Sequence, residues 1–448
     1  MLNLFARAAS LLLCDSPEDA GDPDARLLLE ALGYAEFSAG TSKSGPETHH
    51  RAQLLMVASR FVRVFELAAP EAPGLVCFGA EIDPAMADPL HAGSPAVSVS
   101  GVGLSLQEAF QGCIGEGIEY LSQLQTGDDV LELPGPNDPA AGRGPGTREF
   151  LAAFEAYRLR PDAELSWHRA TRLTDRCEVL LPADLCLRRP LNQREIRPPF
   201  PLSTGSAAGT SWDRAALHGL LEVIERDAAS LWWWGGNRGR AIPPQHEAHI
   251  MAQARLARLR QNTSGRRSWL LDITTDIGVP SVAAVSCTAD GFGFAFGLAA
   301  RPTLTGAACA AVLEMCQGEL AYAVVEAKCR ERGEAALNER DRVHRRRATL
   351  INADRCLLLQ PVAEPSEHLA IDTTDANSVL QLIAKRLGRF GIETFTLDLT
   401  RAHLAIPAAR VITPGLQLEP SEIVMPRLAD MMARTGGGAI YTGGVALI

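Results

Sequence analysis

The chain has 448 residues, 46% of them apolar, and a formal net charge of −10. That length exceeds one small domain, so two or three modules with ample core are expected. A mean hydropathy near zero argues against a membrane protein, and the acidic balance argues against nucleic acid as a bulk partner.

At the N-terminus, "MLNLFARAASLLLC" carries Arg7 inside its apolar run, and leucines stand before Cys14 where a cleavage site needs small residues. This predicts an amphipathic helix ending in the acidic turn that follows, not a targeting segment. "DARLLLEALGY" and "HHRAQLLMVASRFVRVFELA" read as two more helices, so residues 1–70 form a helical N-terminal region. "GLVCFGAEI" and "AVSVSGVG" read as strands, and "GEGIEYLSQL" lies on the helix after them. A Gly- and Pro-rich loop is expected over about 126–146, and "EFLAAFEAYRLR" predicts a helix. "AELSWHRATRL" and "CEVLLPADLCL" read as a hairpin, with Pro182 marking an edge or a strand end. "HGLLEVIERDAASLWWW" is helical, and residues 242–262 form another helix. "SWLLDITTDIGVPSVAAVSC" predicts two strands around a turn at Gly278 and Pro280, with Asp272 and Asp276 as turn residues. "GFGFAFGLAA" is a buried strand, and the long apolar helix after it carries Glu314, Gln317 and Glu319 as polar insertions. "CRERGEAALNERDRVHRRR" reads as solvated surface. The remainder alternates strand and helix and ends in a glycine-rich tail, either frayed or reaching the active site. The pattern is α+β with mixed or antiparallel sheets. No run of about 18 apolar residues stands out, so no transmembrane helix is expected.

The ten cysteines (Cys14, Cys77, Cys113, Cys177, Cys186, Cys287, Cys309, Cys316, Cys329 and Cys356) form no C-x-x-C pair. Several sit in apolar runs and read as reduced core thiols, which points to a cytoplasmic protein.

The chemistry concentrates on two helices. Glu222, Glu225 and Arg226 share a helix face with His218 one turn earlier, while Leu220, Leu221 and Ile224 cover the rest. Alone, Glu222 and Arg226 are an ordinary surface pair worth about 0.3–0.5 kcal/mol. About 106 residues earlier, Glu116 and Glu119 repeat the i, i+3 spacing. Both pairs follow a glycine-bearing strand end and an N-cap signal, Ser105 with Glu108 and Thr210 or Ser211 with Asp213. If the two faces converge, four carboxylates repel one another unless cations are bound between them. Hard oxygen ligands suit magnesium, and magnesium held by few carboxylates usually serves substrate phosphates. The chain has no Walker A loop, no G-x-S-x-G elbow and no H-E-x-x-H. Bound phosphates would then rest on metal and carboxylates rather than on a glycine cradle. Trp232, Trp233 and Trp234 are read as core or as a partner interface.

"AAGTSWDRAALHGLLEVIERDAASLWW" closely resembles the signature helix of the YcaO family, and "GVGLSLQEAFQGCIGEGIEYLS" resembles its first glutamate helix. "DITTDIGVPSVAAV", "AAVLEMCQGELA" and "ARVITPGLQ" resemble its central hairpin, third polar helix and late strand, in the same order. The resemblance implies a YcaO-type catalytic domain over 71–448 whose helices converge on ATP and Mg2+. Glu116, Glu119, Glu222 and Glu225 match the metal and nucleotide carboxylates, Arg226 the arginine near the phosphates. Glu314 and Gln317 fall beside the nucleotide, and Glu222, Glu225 and Arg226 carry the catalytic role.

The implied reaction activates a backbone amide of a ribosomally made precursor peptide. A Cys, Ser or Thr side chain attacks the preceding carbonyl, the oxyanion is phosphorylated, and phosphate leaves to give a thiazoline or oxazoline. Such azolines mature to azoles in microcin-like peptides. The implied partners are a leader-binding, E1-like protein and a flavin-dependent azoline oxidase, in a hetero-oligomer built on a YcaO homodimer. Three departures stand out: Val102 where relatives often carry lysine, Ala310 where an arginine commonly precedes Glu314, and "GGVALI" where azoline-forming members often end in prolines. They leave two alternatives open, a thioamide-forming enzyme and a non-catalytic YcaO-like scaffold.

Overall fold

The computed structural model describes residues 2–13, 22–34, 45–133, 152–160, 164–262, 265–364 and 366–448. Three helices open the chain: α1 (Leu2–Leu13), α2 (Pro23–Ala31) and α3 (Pro46–Ala58). Proline at the first position starts both α2 and α3, where its missing N–H costs no hydrogen bond. The helix expected to run through residue 68 stops at Ala58, and strand β1 (Arg63–Leu67) follows. Val62, Val64 and Phe65 suit an extended chain as well as a helix, and the available partner decides. That partner is β2 (Val76–Ile82), antiparallel to β1 on one side and to β3 (Val97–Gly103) on the other. Helix α4 (Leu106–Gln123) lies on this sheet. It packs so close that a Cβ on Gly101 would stand 2.0 Å from the Cys113 nitrogen. Phe5 of α1 stacks on Phe110 of α4 at 5.5 Å, so the N-terminal helices share a core with the first sheet.

Of the helix expected over 149–160, residues 149–151 lie outside the described residues, residue 152 is helical, and a 3-10 turn follows at Glu155–Tyr157. Its neighbours pair instead with a distant segment: Leu159 N–H donates to the Glu195 carbonyl at 2.8 Å, and Arg197 N–H to that of Tyr157 at 2.9 Å. Most of the expected loop over 126–146 lies outside the described residues.

Strands β4 (Trp167–Arg172) and β5 (Glu178–Pro182) form the expected hairpin, followed by the short α5 (Ala183–Cys186). Next come β6 (Ser206–Ala208), α6 (Trp212–Trp233) and α7 (Glu247–Arg260). Strands β7 (Arg267–Asp272), β8 (Ser281–Cys287) and β9 (Ala295–Ala300) make an antiparallel sheet with a wholly buried centre strand. Helices α8 (Leu304–Arg332), α9 (Glu339–Leu350) and α10 (Ala376–Gly388) follow, then β10 (Phe395–Asp398), β11 (Ala408–Ile412), α11 (Pro426–Thr435) and α12 (Ala439–Thr442). The largest sheet is antiparallel in the order β5-β4-β10-β11-β6, with Pro182 ending its edge strand as expected. The class is α+β with antiparallel sheets.

Against expectation, α8 is long and apolar enough to cross a membrane by length and composition. Its apolarity has a packing reason: Ala307, Ala308, Ala311, Val312 and Met315 are buried in a core with β8 and β9. The arginine-rich segment is only partly solvated. Asn338 and Asp341 form a capping box at the start of α9, and Arg347 is buried, its guanidinium 4.6 Å from the Phe296 ring centre. Trp232 and Trp233 are fully buried, their indole N–H groups donating to the carbonyls of Leu358 (2.9 Å) and Val445 (2.7 Å). They belong to the core, and Trp233 holds the tail there too. Arg347 also donates to the Leu447 carbonyl. Asp272 closes β7, accepting from Thr274 N–H at 2.9 Å and pairing with His368 at 2.8 Å. Asp276, in the turn, pairs with Arg427 at 2.7 Å. The nine described cysteines are free thiols.

Candidate active site

Two strand–loop–helix units deliver the acidic faces. In the first, β3 runs into α4 and Ser105 Oγ accepts from Glu108 N–H at 3.2 Å. In the second, β6 runs into α6 and Ser211 Oγ accepts from Arg214 N–H at 3.3 Å, so Ser211 rather than Thr210 is the cap. The units meet because α4 packs across β6. Glu119, on α4, takes the Ala208 N–H of β6 at 3.0 Å.

The same device recurs at three further glutamates. Glu222 Oε2 accepts from Gly205 N–H at 3.0 Å, just ahead of β6. Gly205 has φ +83°, and a Cβ there would stand 2.3 Å from the Val411 carbonyl oxygen, so only glycine fits. Glu225 Oε2 accepts from Ala300 N–H and Glu314 Oε2 from Leu298 N–H, both at 3.2 Å. β6 and β9 are edge strands. Their outward N–H groups need acceptors, and carboxylates provide them. Each of these four glutamates thus has one oxygen fixed on a main-chain N–H. The second oxygens of Glu222 and Glu225 lie 3.4 and 3.6 Å from Arg226.

Crowding shows in the titration of the cluster. Burial, then the charges of Glu222 and Glu314, push the Glu116 carboxyl up to about 7, although much of its surface is open to solvent. Burial and the Glu116 charge raise Glu119 well above the usual carboxylate range. Burial pushes Glu225 up to about 8, with Arg226 opposing and Glu314 adding. Glu314 is likewise raised by burial. Burial disfavours the Arg226 charge, but Glu225, Glu222 and Glu314 more than offset it and hold the guanidinium ionised. The five sequence-predicted glutamates, Glu116, Glu119, Glu222, Glu225 and Glu314, therefore act on one another as a single electrostatic cluster. Such a cluster ionises fully only when cations enter.

Gln317 is placed differently. Its amide Nε2 donates to Ser100 Oγ of β3 at 3.0 Å, tying α8 to the first sheet. His218 is exposed on the α6 face one turn before Glu222, and desolvation by the surrounding protein, then the Arg301 charge, pushes its pKa down to about 4. Sequence reasoning missed Arg301 and Arg340, whose charges bear on Glu225 and Glu116 respectively. Arg301 carried one available signal, a cation placed directly between a buried strand and the Thr303 N-cap. Arg340 was hidden in a run of surface-like arginines.

A model of the YcaO family, described as a cyclodehydratase that binds ATP and Mg2+, matches residues 100–417. The chain belongs to the YcaO family. ATP and Mg2+ are the cofactors of that family. Two curated relatives are each 28% identical: an uncharacterized protein of Methanothermobacter thermautotrophicus over 277 residues (57% of this chain, 66% of the relative) and an uncharacterized protein from the tfuA 3' region of Rhizobium leguminosarum bv. trifolii over 259 residues (52% and 56%). The chain thus spans a little under two thirds of the first relative and just over half of the second. Among solved structures, a heterocyclase in complex with substrate and cofactor superposes at TM-score 0.67 and 21% identity, covering 89% of this chain and 56% of that one. YcaO from Methanopyrus kandleri with AMPPCP and Mg2+ gives 0.56 and 18%, covering 84% and 92%. The E. coli microcin synthetase McbBCD complex gives 0.53 and 14%, covering 79% and 87%. These likenesses establish the YcaO-type fold.

The residues present fit the family's cofactors. Glutamate oxygens are the hard donors that Mg2+ prefers, and Arg226 matches phosphate. Among the described residues no three acidic, histidine or cysteine side chains close into a cage of their own. Mg2+ accepts that arrangement, because it takes one or two carboxylates and fills its octahedron with water and phosphate oxygens.

Proposed function

We propose that this YcaO protein is an ATP- and Mg2+-dependent cyclodehydratase that converts Cys, Ser or Thr of a ribosomally made precursor peptide to thiazoline or oxazoline. The observation that carries the reading is the glutamate cluster: four side chains each held by one oxygen on a main-chain N–H, with Arg226 among them. With Glu119, Glu222 and Glu225 held in this way and Glu116 beside them on α4, these four would bind the metal, and Glu314 and Arg226 would orient the nucleotide phosphates. Bound Mg2+ and ATP supply an electrophilic phosphoryl group that makes the amide oxygen a leaving group. The protein's part is positioning, since the main-chain anchors keep the carboxylates from rearranging as charge develops.

The partners proposed are a precursor peptide, a leader-binding E1-like protein and a flavin-dependent azoline oxidase, in a cytoplasmic hetero-oligomer containing a YcaO homodimer. The McbBCD complex, which has this fold, is also known with pro-MccB17 bound, and that supports a peptide substrate and a multi-protein assembly. The test is to supply the purified protein with its neighbouring partner and precursor, and to measure phosphate release and peptide mass together. Loss of one water per site, with matching phosphate, is expected. No phosphate above background would leave the scaffold reading. Full processing by the isolated chain would overturn the need for a partner.

A second reading, thioamide formation, draws on Val102 and Ala310. Where relatives often carry cations, these apolar side chains pack against one hydrophobic core with β8 and β9. Exchange of oxygen for sulfur in the peptide, instead of water loss, would select it.

A further inference from the structure

Arg226 is shared between two carboxylates, 3.4 Å from Glu222 and 3.6 Å from Glu225. It is engaged before any ligand arrives. Arg301 is not. It follows β9 and stands two residues before Thr303, the N-cap of α8. One guanidinium nitrogen donates to the Ala300 carbonyl at 2.8 Å, and Arg301 forms no ion pair among the described residues. An arginine has five N–H donors in a rigid fork, so most of this one is unassigned. Its placement is otherwise unfavourable, because a cation near a helix N-terminus opposes the helix dipole. The preceding residue, Ala300, gives its own N–H to Glu225 at 3.2 Å, which places Arg301 at the wall of the carboxylate cluster. Its charge is felt by Glu225, by Glu314 and by His218, which lies exposed on the facing helix.

We propose that Arg301 is a phosphate-binding residue of the nucleotide site, reaching the polyphosphate from the β9–α8 junction while Arg226 reaches it from α6. This rests on the nucleotide-binding reading above. Phosphate oxygens, the anionic groups of the nucleotide, take a planar fork of donors and also reverse the unfavourable local field. Arg301 thereby balances a site in which one arginine already serves the glutamates.

The experiment is calorimetric binding of Mg2+ with AMPPCP, and of Mg2+ with inorganic tripolyphosphate, to full-length wild type, Arg301→Gln and Arg301→Lys. Arg301→Gln is expected to weaken both ligands by about tenfold or more, the usual range for a lost charge-assisted hydrogen bond, with the ligand-free melting temperature unchanged. Arg301→Lys keeps the charge without the fork and should fall between. Should Arg301→Gln not fold, Arg301→Lys carries the test with a severalfold loss for both ligands. Wild-type affinity for both ligands in the variants overturns the proposal. Loss for AMPPCP alone also overturns it, because the contact would then be to the nucleoside. If wild type binds neither ligand, the nucleotide-site reading itself fails.

Discussion

Glu225→Gln separates the charge of the cluster from its packing. Glu225 is 6% exposed, anchored on Ala300 N–H, and its carboxyl sits at about 8 against an ordinary 4.5. Between those values the folded protein holds a proton that the unfolded chain has lost. The stabilisation from a raised carboxyl is therefore complete below about pH 4.5 and lost as pH rises through about 8. For one group the slope is about 1.4 kcal/mol per pH unit, so the ligand-free wild type loses at most ~5 kcal/mol across the interval. Glutamine does not titrate, and its amide oxygen can still accept from Ala300. The variant should match wild type near pH 5 and become progressively more stable than it toward pH 8.5. Urea unfolding with EDTA present, at four or five pH values, reads this difference directly. In separate samples without urea and with Mg2+ in place of EDTA, nucleotide binding by the variant should fall by orders of magnitude. Parallel pH profiles for the two proteins would refute the argument, because Glu225 would then be ionised, or solvated, in the absence of cations. Tight nucleotide binding by the variant would refute its role in the site.

Glu116, at about 7, and Glu225, at about 8, are both partly protonated at neutral pH. Binding of Mg2+ and nucleotide should release protons, and affinity should climb from about pH 6 to about pH 9; titrations in buffers of different ionisation enthalpy measure the count. Gly205→Ala places a Cβ against the Val411 carbonyl in a left-handed backbone and disturbs the N–H that holds Glu222. It should cost ~1–3 kcal/mol in urea unfolding and weaken nucleotide binding even though no charged group is changed.

What the sequence determined by itself is local. The 3.6-residue period places Glu116 with Glu119, and Glu222 with Glu225 and Arg226, on single helix faces. Cap chemistry marks where α4 and α6 begin, at Ser105 for the first and at Thr210 or Ser211 for the second, where the structure selects Ser211. These features depend on neighbours a few residues apart, so a window of sequence carries them. The ordered resemblance to the YcaO family added the expectation that the faces converge.

Tertiary structure decided what those faces meet. That Glu119 would be held by Ala208, 89 residues away, follows from α4 crossing the edge strand β6. That Glu225 and Glu314 would be fixed by neighbouring N–H groups follows from β9 being an edge with nothing else to pair. Sheet order is a property of long-range pairing, and residues 63–67 show the consequence: a stretch apolar enough for either state became a strand because β2 was there to receive it. Arg301 and Arg340 were illegible for the same reason, since an arginine joins a carboxylate cluster by where its backbone is carried, not by its neighbours in the chain.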